Sequence, residues 1–143
     1  MEQAVRQLFE HYADFFAHSL AGAPDPEEAA ALYTPEFIGA TPAGVVTGKN
    51  DADFLRAMQA GYDHYRSIGT KEMRIRHVHI TRVDDWHCIA HVAWTAVYAR
   101  DDLPRTEVDF EVHYLVQVLD GVAKVFGWMS GDEQALLKER GVV

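Results

Sequence analysis

The chain has one cysteine, Cys88, so no disulfide can form within it and its fold must be held by burial alone. Long apolar runs are also missing: no window approaches the roughly 18 apolar residues of a membrane span, so no membrane partner is expected. Positive charge is scarce, with 13 Lys and Arg against 22 Asp and Glu, a net charge of −9 and a pI near 5.2. That balance argues against phosphate backbones and anionic lipid surfaces, and nucleic acid is not expected as a partner. Residues 1–16 carry Glu2, Glu10 and Asp14 where a secretory leader would need a basic start and an unbroken apolar stretch, so the expected compartment is the cytoplasm. Internal repeats and low-complexity tracts are absent. What is present is a chain of 143 residues, 48% hydrophobic, 24% charged and of mean hydropathy −0.18. It reads as one domain, 1–143, long enough to bury about two-thirds of the surface its unfolded form exposes.

Val5, Leu8, Phe9, Tyr12, Phe16 and Leu20 recur at spacings of three and four, which predicts an amphipathic helix over 2–20 with Asp14 opposite its stripe. Residues 21–26 (AGAPDP) break it, and Asp25 with Pro26 opens a short helix through about Tyr33. Two glycines and a proline limit residues 37–46 to a short strand or edge segment. Phe54, Leu55, Met58, Tyr62, Tyr65 and Ile68 predict a third helix from Asn50 or Asp51, stopped by Gly69. The period then changes to two. Residues 71–83, 86–100, 106–119 and 122–130 read as strands rich in β-branched and aromatic residues, separated by short turns. Asp120-Gly121 is a strong hairpin signal. A short helix over 132–140 follows, with Ser130 and Glu133 in capping-box spacing and Gly141 at its end.

Helices followed by antiparallel strands give an α+β pattern in which one sheet face covers the helical stripes. The row Trp86, Cys88, Ala90, Val92, Trp94, Ala96 and Tyr98 is apolar and expected inward. So is the row Val108, Phe110, Val112, Tyr114, Val116 and Val118. Glu107, Asp109, Glu111 and His113 are therefore expected outward.

The leading helix, the segment 32–37 (LYTPEF), the Thr47-Gly48-Lys49 motif before the third helix, and the meander ending in residues 127–132 (GWMSGD) together resemble the nuclear transport factor two-like superfamily, whose members include SnoaL-like proteins. The resemblance covers nearly the whole chain. It implies a cone of the cystatin-like type, with three N-terminal helices packed on a curved antiparallel sheet, mixed at its edge, and a short C-terminal helix. It also implies a pocket between helices and sheet. That superfamily holds ketosteroid isomerases, scytalone dehydratases, limonene epoxide hydrolases and polyketide cyclases beside members that only bind, so fold does not decide function.

The inward rows then name a lining for that pocket: Tyr12 and Phe16, Phe54, Met58 and Tyr62, and Trp94, Tyr114, Phe126 and Trp128. Such a wall suits a small apolar or aromatic ligand, unless these rings simply fill a core. His77 and His79 alternate with Arg76 and share a row with Met73, Ile75, Thr81 and Val83, which places them on the inner face as candidate acid/base groups. This is similar to the sheet histidines and helix tyrosines of scytalone dehydratases, with Tyr12 as hydroxyl partner. The helix aspartate of that arrangement is not matched, because Asp14 points away. Thr41 stands where the resemblance implies the isomerase's carboxylate base, which disfavours that reaction. An epoxide hydrolase needs inward carboxylates, and those of the central strands are on the outward row. A one-residue slip would turn Asp109, Glu111 and His113 inward together. His87, His91 and His113 share a row with Glu111, but there is no HExxH, and neither a metal nor a cofactor is expected. Cys88 reads as a small buried hydrophobe. Ile89, Ala93, Thr95, Val97 and Leu115 make the outer face only half polar, which suits a homodimer. Two functions remain open: a cofactor-free lyase, isomerase or cyclase using His77, His79 and Tyr12, or a non-catalytic module binding ligand or protein.

Overall fold

A computed structural model describes residues 1–143. The first stripe forms α1 (Glu2–Ala21), which buries Val5, Leu8, Phe9, Phe15, Phe16 and Ser19. Asp25 caps α2 (Pro26–Leu32), accepting from the Glu27 and Glu28 N–H groups at 2.8 and 3.4 Å. The chain then extends at once into a hairpin of β1 (Tyr33–Thr41) and β2 (Gly44–Lys49), longer than the short strand expected from its glycines. Asp51 caps α3 (Ala52–Ser67) through the Phe54 N–H at 3.0 Å. Gly69 follows with φ +86°, and a Cβ there would lie 2.7 Å from the Ala99 carbonyl oxygen.

The meander consists of β3 (Thr70–Arg82), β4 (His87–Arg100), β5 (Leu103–Leu119) and β6 (Val122–Ser130), and α4 (Glu133–Glu139) closes the chain. Asp120 and Gly121 take φ of 51° and 77° in the last hairpin, as their sequence demands. Ser130 does not start α4. It is still paired to Val112 in the sheet, and Asp132 accepts from the Ala135 N–H at 2.9 Å instead.

The sheet runs β2-β1-β6-β5-β4-β3, antiparallel throughout except for the parallel β1–β6 pair, and the helices cover one face of it. This is the α+β, cystatin-like architecture expected, mixed at its edge. Cys88, Ala90, Val92, Trp94, Ala96 and Tyr98 are all buried between sheet and helices. Trp86 is not, because it sits in the turn before β4 and is 55% exposed. On β5, Val108, Tyr114 and Val116 are buried, so the slip that would bring Asp109, Glu111 and His113 inward does not occur.

Two of the sheet's bulges decide where expected site residues face. Ile75 pairs with Trp94 but His77 with Ala93, so β3 carries an extra residue there, Arg76. Beyond it Val78 and Ile80 face inward, opposite Val92 and Ala90, while His77, His79 and Thr81 turn outward, opposite Ala93, His91 and Ile89. The expected inner placement of His77 and His79 is thus reversed. Likewise Leu115 pairs with Gly127 but Val116 with Val125, which leaves Phe126 as the extra residue of β6.

Candidate functional site

Between α1, α3 and the concave sheet face lies a cavity of about 270 Å³, with α4 at its rim. It is lined by Tyr12 and Phe16 of α1, Phe54, Met58 and Tyr62 of α3, and Trp94, Tyr114 and Trp128 of the sheet, all expected from the stripes and inward rows. Three expected residues are elsewhere. His77 and His79 are exposed on the opposite face, and the Phe126 ring packs 6.0 Å from His87 on that same face. The sequence reading missed Tyr33, Tyr65, Met73, Phe110 and Glu133 as lining residues. Tyr65 and Phe110 were on the right periodic rows. By the sequence pattern Tyr33 reads as the end of a helix, and Glu133 as part of a cap.

The polar part of the wall is a cluster of hydroxyls. Tyr33 donates to Tyr12 at 2.8 Å, and the Trp94 indole N–H donates to the Tyr114 oxygen at 3.2 Å. Tyr12 also packs edge-on against Tyr114, whose ring lies 5.3 Å away at 64°. The Tyr12 and Tyr114 hydroxyls thus each accept one of these bonds and donate none, which leaves hydroxyl protons for an occupant of the cavity. Burial pushes the Tyr12 phenol up, and the neighbouring Tyr33 and Tyr114 hydroxyls only partly offset this. Tyr33 and Tyr114 are held well above the ordinary phenol value, by burial first and by the neighbouring Tyr12 second. The cluster therefore stays protonated near neutral pH. It can hold a ligand oxygen, and it cannot act as a base.

Glu133 is the only carboxylate in the wall. Burial raises its pKa and His64 pulls it partly back. A carboxyl raised this way is suited to exchanging a proton with an occupant.

On the outer sheet face, Arg74 reaches Glu107 at 3.0 Å and Arg76 reaches Asp109 at 3.7 Å, bridging over β4. Beneath these pairs Ala93, Thr95 and Val97 are buried within the single chain.

A family profile described as NTF2-like protein (DUF6841) matches residues 2–133. The chain belongs to the NTF2-like family. Solved structures share its fold. An uncharacterised protein with a cystatin-like fold from Caulobacter vibrioides superposes with a TM-score of 0.65 at 13% identity, over 96% of this NTF2-like chain and 94% of the other. An NTF2-like protein of unknown function from Shewanella oneidensis gives 0.63 at 13% identity, covering 92% and 98%. A candidate scytalone dehydratase from Novosphingobium aromaticivorans gives 0.64 at 15% identity, covering 90% and 80%. No curated protein sequence matches the chain. No helix is long and apolar enough to cross a membrane.

Proposed function

We propose that this NTF2-like chain binds a small, ring-bearing, largely apolar molecule, with an oxygen of that molecule held by the Tyr12–Tyr114 hydroxyls. The single observation that carries this reading is the unspent hydroxyl proton of the Tyr12–Tyr114 pair in a largely aromatic cavity. A volume of about 270 Å³ suits a compact ligand, since cavities near 150 Å³ already accept benzene. If the ligand is turned over, the reaction is a cofactor-free lyase, isomerase or cyclase step. In it Glu133 moves the proton and a tyrosine holds the oxygen, in place of the histidines expected from sequence. The similarity to a candidate scytalone dehydratase is in keeping with a ring-bearing ligand, as similarity of fold only. The same reading includes a cytoplasmic homodimer associating through the outer sheet face, where Ile89 and Leu115 lie half-buried among polar side chains. Sedimentation at two concentrations tests the dimer, and a monomer at both removes it.

The pocket is tested by thermal shift against a panel of ring-bearing ketones, phenols and lactones. A ligand at 100 times its Kd stabilises by about 2.7 kcal/mol, a rise of several degrees. The shift is expected to vanish in Trp94→Ala and to persist in His77→Ala and His79→Ala. Glu133→Gln is expected to keep the shift and lose any turnover. A panel that yields no shift, or a shift undiminished in Trp94→Ala, overturns the reading.

A further inference from the structure

His79, His91 and His113 stand side by side on three adjacent strands, His79 paired in register with His91 and His91 with His113. His91 Nδ1 and His113 Nδ1 are 2.7 Å apart, so one proton lies between them, one ring donating and the other accepting. On its far side, His91 Nε2 is 2.9 Å from Thr81 Oγ1. The His79 and His91 rings lie 5.6 Å apart and within 29° of parallel.

We propose that this histidine row binds a divalent transition-metal ion of the Zn²⁺, Ni²⁺ and Cu²⁺ class, with His91 and His113 as primary ligands and His79 as the third. Two imidazole nitrogens on one ion at about 2.0–2.1 Å must be roughly 2.9–3.4 Å from each other. The His91–His113 pair reaches that separation by opening a few tenths of an ångström. The ion takes the place of the shared proton: the N–H bond of one ring breaks, its proton passes to solvent, and two metal–nitrogen bonds form. Thr81 supplies what such sites require behind a histidine ligand, an oxygen that accepts the other ring N–H and so fixes the tautomer. As they stand, no three His, Cys, Asp or Glu side chains converge on one point. His79 lies exposed on the edge strand, where rotation about its side-chain bonds brings the third nitrogen in, since paired Cβ atoms in a sheet are only about 4.5–5.5 Å apart. An all-imidazole donor set favours borderline metals over Mg²⁺ or Ca²⁺, which select oxygen. The row is on the opposite side of the sheet from the cavity, so the inference does not depend on the proposed ligand.

The test is calorimetric titration of the metal-free chain with Zn²⁺, paired with the visible spectrum of the Cu²⁺ complex as a readout of nitrogen ligation. One ion per chain is expected. His91→Ala and His113→Ala should each weaken it at least tenfold, because even partners behind a ligand are worth about 10–100-fold. His79→Ala should weaken it less, and His11→Ala and His64→Ala should not change it. His91→Asn and His113→Asn serve if the alanine variants fold poorly, with circular dichroism confirming the fold. No saturable uptake, or uptake unchanged when His91 and His113 are both replaced, overturns the proposal.

Discussion

Replacing Tyr114 by Phe removes one oxygen from the cavity wall and leaves the ring in place. The Trp94 indole N–H, on a side chain only 2% exposed, then loses its acceptor at 3.2 Å. A buried donor left unpaired costs about 1–3 kcal/mol, more than the net value of the hydrogen bond itself. For a chain near 150 residues each kcal/mol lowers the midpoint by about 2–4 °C, so the expected fall in Tm is roughly 2–12 °C. Urea unfolding followed by tryptophan fluorescence gives the free energy, with an unchanged m-value showing that the native state is otherwise intact. The decisive measurement is the double-mutant cycle with Trp94→Phe, which removes the donor. In that background Tyr114→Phe should cost markedly less, because no N–H is left stranded. An equal cost in both backgrounds, or a cost under about 0.5 kcal/mol in the native one, would refute the energetic role assigned to the Trp94–Tyr114 bond.

Glu133→Gln should gain stability relative to the native chain as pH rises. The folded-state pKa of Glu133 is raised, so its contribution is fully present below its ordinary value of 4.5 and is lost as pH rises through the folded value. Parallel melts at pH 4 and pH 8 check this, and a constant difference between the two proteins would contradict the burial of that carboxyl. Gly127→Ala should destabilise by about 1–3 kcal/mol through overpacking, because its Cβ would meet Ile38 Cγ2 at 2.8 Å and the Ile38 carbonyl oxygen at 2.9 Å across the β1–β6 pair. An unchanged urea midpoint would show that β1 can move away without loss.

Much of the cavity was legible from period alone. Trp94 and Tyr114 belong to unbroken alternating rows, Tyr12 and Phe16 to one helical stripe, and Phe54, Met58 and Tyr62 to another, so simple counting finds their faces. The failures share a cause. Alternation finds a face only while no residue is inserted, and β3 and β6 each contain an insertion. Its trace was present in the apolar residues themselves: Met73 and Ile75 are odd, Val78 and Ile80 even, and that change of phase marks the bulge at Arg76. In β6 Ala123 and Val125 give way to Trp128 in the same manner, around Phe126. Arg76 misled because it alternates with His77 as a wet-side residue would, whereas its guanidinium reaches Asp109 and the Trp94 carbonyl over β4. Glu133 had no periodic signature at all. Its position depends on where α4 folds back against the cavity, a long-range consequence of the sheet that a seven-residue helix does not announce.

The bulge in β3 also bears on descent. It lies in an edge strand, where pairing is disturbed on one side only, so gaining or losing the extra residue is less disruptive than in the middle of the sheet. Loss of the single codon for Arg76 would leave Ile75 inward opposite Trp94 and His77 outward opposite Ala93 as consecutive residues, so every face beyond it would be kept and the strand would return to plain alternation. The extra residue is thus one that a single in-frame event can add or remove without redrawing either the aromatic cavity or the histidine row.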